Sequence, residues 1–308
     1  MKKLMTAFLT GALGLGVLGV GGSSINAAEI KPVAGSKKLA VLVDARKVKF
    51  DGGDPFVEDK RVQVPLRGIG EALGAKIGFD AQTVTYEKNR KSIKLTLGSK
   101  VAIVDGKSVT MDTVAKAING RTYVPLRFVS ENLGEKVTWD QVGNWVWIGS
   151  QEVPDIEEVT ELQDLTPYEE YFEGKDNFIA PYGEEKKRTK ARMVSYEDMP
   201  VVIGDKTLLD MWLVREGIEE IMYIRFKGPK RLTMYLLIGD GDIRPRSGHI
   251  VEQSDGTFII QIVIKDARDK AIYKDENWKK FTTKSFDYFF LTGSFGDDSA
   301  RMILNPFK

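Results

Sequence analysis

The sequence predicts an α+β protein: a duplicated N-terminal module in which an antiparallel sheet packs on short helices, followed by a mostly-β, sandwich-like domain. Three observations carry this. The stretch "RVQVPLRGIGEALGAKIGFD" at 61–80 returns as "RTYVPLRFVSENLGEKVTWD" at 121–140. Apolar and polar residues alternate over much of the chain between the copies, which is the period of a strand and not of a helix. Beyond residue 193, alternating runs such as "EIMYIRFKG" and "RLTMYLLIG" are separated by turn residues at short intervals.

Residues 1–28 read as a signal peptide. Lys2 and Lys3 give a positive start, an apolar run follows from Leu4 to Val20, and Ala27-Ala28 offer a cleavage site before Glu29. The alternative is an uncleaved anchor, but about 17 glycine-interrupted residues fall short of the roughly 20 that span a bilayer. The expectation is therefore a secreted protein of the cell wall or extracellular surface, with no membrane span after cleavage. The chain contains no cysteine, which excludes disulfides, thiolate metal sites, a cysteine nucleophile and a lipid-modified cysteine. Export without disulfides fits a Gram-positive bacterium. The 45 basic and 44 acidic residues nearly cancel, so no bulk charge draws the protein to nucleic acid.

Each copy of the repeat reads as a strand running into a helix at proline. Pro65 and Pro125 stand where a missing N–H costs the helix nothing. Leu66, Ile69 and Leu73 share one helical face, as do Leu126, Val129 and Leu133. Gly74 and Gly134 end the helices where a left-handed backbone is needed. A strand follows, with Ile77 and Phe79, or Val137 and Trp139, on one side, and Asp80 or Asp140 opens a turn. From Val64 and Val124 onward, 9 of 17 aligned positions are identical. Upstream, "LVDARKV" at 42–48 matches "IVDGKSV" at 103–109, and Asp105-Gly106 is a hairpin signal. Two helices of about nine residues cannot stand alone, so the copies are expected to share one core across residues 38–150.

The stretch "NGRTYVPLRFVSENLGEKVTWD", preceded by "VAIVDGKSV" and followed by "NWVWIG", resembles the copper amine oxidase N-terminal domain, or stalk domain, family. The resemblance covers about 110 residues. It implies a small antiparallel sheet wrapped around a helix, carried as an accessory module on exported bacterial proteins. It does not imply copper or oxidation, which belong to a separate catalytic domain needing several histidines. The chain has one, His249, outside the matching region.

Arg67 and Arg127 can be read as anion clamps, or as intrahelical partners of Glu71 and Glu131 four residues on. Retention of both members in both copies favours structure. Trp139, Trp145 and Trp147 can be read as sugar-stacking rings, but their alternation beside Val137 and Val146 favours the core.

Residues 151–192 change texture. An acidic, proline-bearing stretch precedes a basic patch of Lys186, Lys187, Arg188, Lys190 and Arg192, and the whole reads as a solvated linker with one short helical turn near Tyr168. Residues 193–308 read as a β-rich domain of five or six strands, a sandwich, with "TLLDMWLVREGIEE" at 207–220 ambiguous between helix and strand. "GDGD" at 239–242 lacks the rest of a calcium loop and reads as a turn. No phosphate loop, serine elbow or basic-aromatic surface is present.

These observations lead to a non-enzymatic, cofactor-free envelope protein, with the repeat as spacer or docking platform and the β-rich domain as interaction face. Its expected partner is a cell-wall polymer or another envelope protein, and self-association is compatible with it. A carbohydrate-binding module is the alternative. It predicts an exposed aromatic row drawn from Tyr223, Tyr235, Tyr273, Trp278 and Tyr288. A carboxylate-dependent glycoside hydrolase is a third reading and predicts two carboxylates facing one cleft.

Overall fold

The computed structural model describes residues 38–51, 53–180, 187–293, 295 and 297–308. Residues 1–28, expected to be a signal peptide, and Lys186 lie outside the described residues. In the first copy, β1 (Ala40–Val43), β2 (Arg46–Lys47), β3 (Phe56–Glu58) and β4 (Arg61–Pro65) lead into α1 (Leu66–Ala72). Strands β5 (Lys76–Asp80) and β6 (Thr83–Lys88) follow, and β7 (Lys91–Thr96) joins the copies. The second copy runs β8 (Val101–Val104), β9 (Lys107–Thr110), β10 (Lys116–Ile118), β11 (Arg121–Pro125), α2 (Leu126–Asn132), β12 (Val137–Asp140) and β13 (Trp145–Ile148).

The copies meet through the motif itself. Strands β4 and β11 pair antiparallel with Val64 opposite Val124, so equivalent residues face each other as a local two-fold relation requires. Helix α1 packs on β11 and α2 on β4. Strand β1 pairs in parallel with β13, joining the start of the first copy to the end of the second. Val64, Ile69 and Leu73 share one apolar cluster with Val124, Val129 and Leu133, which is the common core the sequence predicts. Each such side chain contributes roughly 1.5–3 kcal/mol by leaving water. Burial along 61–80 and 121–140 matches position by position except at the first and last residues. The helices are seven residues long, shorter than expected, because Pro65 and Pro125 serve as N-caps and Leu73 and Leu133 as C-caps, all outside the helices proper. Gly74 and Gly134 take φ of 65° and 99°, the left-handed cap that a Cβ would strain.

The remainder builds two facing sheets. Helix α3 (Ile156–Val159), β14 (Leu162–Asp164), a 3-10 turn (Thr166–Phe172), α4 (Asp176–Ile179), β15 (Lys190–Val194), β16 (Val201–Ile203), β17 (Lys206–Glu216) and β18 (Glu219–Lys227) come first. Then come β19 (Met234–Leu237), β20 (Ile243–Arg246), β21 (His249–Glu252), β22 (Phe258–Val263), α5 (Arg268–Tyr273), β23 (Tyr288–Leu291) and β24 (Ala300–Leu304). A six-stranded sheet, β14-β15-β24-β23-β19-β20, faces a five-stranded one, β16-β17-β18-β22-β21. Met211, Met222 and Ile260 from one sheet meet Met234, Phe289 and Ile303 from the other.

Three sequence expectations are corrected. Nine strands, β16 to β24, replace the five or six expected beyond residue 193, and β14 and β15 from the charged segment complete the two sheets. The ambiguous 207–220 stretch is a β-hairpin with a two-residue turn, β17 pairing with β18. Residues 151–192 are not a solvated linker. Their widely spaced apolar residues Leu165, Tyr171, Phe172 and Ile179 are buried against Leu237, Phe290 and Met302 on the outer face of the six-stranded sheet. The acids between them face solvent and mask the pattern. The basic patch is likewise paired within the chain: Lys187 with Asp176, Lys190 with Asp164, and Arg192 with Asp297.

Candidate functional site

The motif residues divide into core, surface and junction. Pro65, Leu66, Pro125 and Leu126 are buried. Arg67, Glu71, Arg127 and Glu131 are exposed. Arg127 lies 3.8 Å from Glu131, whereas Arg67 and Glu71 make no ion pair among the described residues, so the expected helical pair forms in one copy only. Neither arginine enters a shared acidic hollow. Trp139 is 41 % exposed and its twin Phe79 54 % exposed, which corrects the core reading of Trp139. Each lies on the same face as its buried cross-strand partner, Val146 or Val84, but on the edge strand β12 or β5, where the core no longer covers it.

Asp80 and Asp140 begin equivalent turns and end differently. Asp80 is exposed. Asp140 accepts two bonds from Arg225 on β18, at 2.6 and 3.2 Å, and its Oδ1 also accepts the Gly143 N–H at 2.8 Å. Arg225 is 3 % exposed and bonds Asp255 as well. Burial raises the Asp255 carboxyl, but hydrogen bonds from Thr257 and the Arg225 charge outweigh it and hold the group below the usual carboxylate range. Around this pair, Trp145 and Trp147 close over Leu42, Ala45 and Leu209. Lys47 donates to the Tyr196 carbonyl at 3.1 Å and lies over the Tyr196 ring. Burial lowers its pKa despite the nearby Asp210 carboxylate. The repeat module is thus fastened to the sandwich by an apolar patch ringed with charges.

The five-stranded sheet carries an exposed tip. Gly217 and Ile218 form the β17–β18 turn, and of the two only Gly217 has positive φ, 62°. That is the pattern of a type II′ hairpin. Ile218 is 83 % exposed, an isolated apolar side chain between charged neighbours. From outside the hairpin, Lys265 Nζ donates to the Ile218 carbonyl at 3.0 Å, and within it Arg215 Nε donates to the Glu220 carboxylate across the two strands at 3.0 Å. Glu220 accepts the Thr283 N–H at 2.6 Å. Burial raises the Glu220 carboxyl, but these bonds outweigh it and lower the pKa. Behind the tip, Val214, Ile221 and Val263 align across three strands.

A third feature is a groove of about 340 Å³ on the repeat module, between β3 and β12. Trp139, Val57 and Val137 line it with Lys60, Arg61 and Arg127.

Sequence reasoning missed Arg225, Lys47 and Ile218. The last had a legible signal, one isoleucine between Arg215-Glu216-Gly217 and Glu219-Glu220. The aromatic row expected of a carbohydrate-binding module does not form. Tyr223 stacks on Trp212, Tyr235 packs on Phe178, and Tyr288 meets Tyr168 and Tyr171. Tyr273 and Trp278 are half-buried. "GDGD" is the β19–β20 turn, with Asp242 held by Arg244. His249 is exposed at the start of β21. No helix among the described residues is long and apolar enough to cross a membrane.

The duplicated strand–helix–strand unit, with both helices facing one core, defines a small α+β module. Residues 42–148 match the family model of the copper amine oxidase N-terminal domain, and this part of the chain is a domain of that family. Copper does not fit the residues present: the one histidine lies outside the match, and no group of three candidate ligands occurs among the described residues. The chain is also similar to a Brevibacillus choshinensis protein described as "Protease inhibitor", 31 % identical over 139 residues. The match covers 43 % of this chain and 40 % of that relative, so the chain spans under half the length of the curated relative it matches.

Proposed function

We propose that this is an exported, non-catalytic interaction protein of the cell envelope. In this reading the repeat module is a rigid support, and the sandwich inserts the Ile218 hairpin into an apolar pocket of a partner protein. The observation that carries it is the 83 % exposure of Ile218 on a turn fastened by Lys265 and Arg215. An apolar side chain held in advance in its bound geometry loses little freedom on binding, which is how convex loops reach high affinity. The acids that line an open cleft beside Arg225 support a non-catalytic reading. Asp140 and Asp255 both engage Arg225, whereas a glycosidase needs one carboxyl with a raised pKa to act as acid.

The first partner class to test is a protease, because the B. choshinensis relative is described as an inhibitor and a clamped convex turn has the shape that fills a substrate cleft. Wild-type protein and Ile218→Asp are titrated against secreted serine and metalloproteases with a fluorogenic substrate. Expected is saturable inhibition of at least one enzyme by wild type, weakened about 100-fold in the variant, as for a central interface anchor. Equal inhibition by both proteins would remove the hairpin from the mechanism. No inhibition by wild type would remove the protease reading.

A further inference from the structure

We propose that the groove between β3 and β12 is a second binding site, which takes an extended acidic–apolar segment of a partner protein. It is distinct from the Ile218 hairpin and independent of the reading given to it.

The walls of the groove are two sheet edges. Strand β3 ends the sheet β10-β11-β4-β3, and β12 ends the sheet β12-β13-β1-β2. An edge strand presents unpaired N–H and C=O groups, the template on which another strand adds. Strand β12 is four residues long, Val137–Asp140, with Trp139 its exposed member, about 13 Å at 3.3 Å per residue. The incoming segment therefore needs four or five residues in register. The lining is apolar along its length through Val57, Val137 and Trp139, with the buried Leu126 at the end of the floor.

Charge selects the occupant. Lys60, Arg61 and Arg127 line the groove, and no carboxylate does. Arg61 and Arg127 do have acidic neighbours, Asp112 and Glu131, but both pairs are solvent-exposed. Such pairs contribute little and are readily exchanged for a carboxylate on a ligand. In a bound strand, side chains alternate in direction. A sequence alternating valine or isoleucine with glutamate would lay its apolar residues on Val137 and Trp139 of one wall and turn its carboxylates toward Lys60 and Arg61 on the other. A basic segment would meet like charge on the same rim.

The probe is an end-blocked decapeptide alternating glutamate and valine, titrated into the full chain by calorimetry. Controls are the same peptide with lysine for glutamate, and the variants Trp139→Ser and Arg127→Glu. Both side chains are exposed, so circular dichroism and unfolding midpoints should match wild type. Expected is one-to-one binding of the acidic peptide, lost about tenfold or more in either variant and weakened as salt screens the rim. The lysine peptide should not bind. Equal binding of the two peptides, or undiminished binding to Trp139→Ser, would overturn the proposal. So would self-association of the protein that Trp139→Ser abolishes, since the occupant would then be a second copy. Ile218→Asp should leave the titration unchanged, which separates failure at this site from failure at the hairpin.

Discussion

Asp80 and Asp140 provide an internal control: one motif residue in two settings. Truncating Asp140 to alanine removes a carboxylate that accepts the Arg225 guanidinium at 2.6 and 3.2 Å and the Gly143 N–H at 2.8 Å. The environment is dry, with Arg225 3 % and Asp140 13 % exposed at the side chain. Each bond to a charged group contributes about 1.5–3 kcal/mol, and losing both partners of a buried arginine would cost more. Here Asp255 remains bonded to Arg225, and the 3.2 Å bond is the weaker of the two. We therefore expect one strong charged bond and one turn cap to be lost, about 2–3 kcal/mol together. Asp80→Ala removes an exposed carboxylate and should cost less than about 0.5 kcal/mol. Equilibrium unfolding in urea, followed by tryptophan fluorescence, measures both, since Trp145 and Trp147 lie in the affected junction. Costs that agree within 0.5 kcal/mol would refute the claim that the second copy's aspartate is a fastening to the sandwich.

Four further outcomes follow. Gly70→Ala should destabilise by about 1–3 kcal/mol in thermal unfolding, because a Cβ there would stand 2.4 Å from Ile77 Cδ1 and 2.9 Å from Tyr86. Ser130, its twin, should accept alanine with little loss, its hydroxyl having no hydrogen-bond partner among the described residues. Burial raises the Asp297 carboxyl, but bonds from Arg192, Arg301 and Ser299 outweigh it and hold the group far below its ordinary 3.8. A depressed carboxylate stabilises the fold above its unfolded value and loses that contribution as pH falls through the folded one. The urea midpoint should thus fall below about pH 4, and Asp297→Asn should be less stable at neutral pH with a shallower acid slope. Trp139→Ser and Phe79→Ser should each shift stability by under about 0.5 kcal/mol, whereas Trp147→Thr should cost about 3 kcal/mol.

The repeat was legible because its demands are local. A proline cap, two helical faces, a glycine at positive φ and alternating strands each follow from spacing, and the shared core follows from helices too short to stand alone. The acidic segment was not legible because its signal is sparse. Leu165, Phe172 and Ile179 are seven residues apart, which suits one helical face, but Pro167 and Gly174 interrupt the stretch and their partners Leu237, Phe290 and Met302 lie tens of residues downstream. Trp139 was misread for a related reason. Alternation tells which residues share a face of a strand, but not whether anything covers that face. Ile218 needed no tertiary knowledge, only attention to an isoleucine in a charged turn.

The two copies also differ in a way that explains how the module is used. Strand pairing sets Trp139 opposite Val146 and Phe79 opposite Val84, which makes Trp145 and Trp147 the counterparts of Thr83 and Thr85. The inward positions stay apolar in both copies, Val146 and Ile148 against Val84 and Tyr86. Only the outward positions diverge, to tryptophan in one copy and threonine in the other. Packing within the module demands the inward residues and is indifferent to the outward ones, so the outward pair was free to change. In the second copy it became an apolar face on which Leu209 of the sandwich sits, with Asp140 beside it receiving Arg225. In the first copy the same face stayed polar and Asp80 stayed in water. A duplicated core thus supplies two interchangeable frames, and the asymmetry written on their outer faces decides which one holds the sandwich.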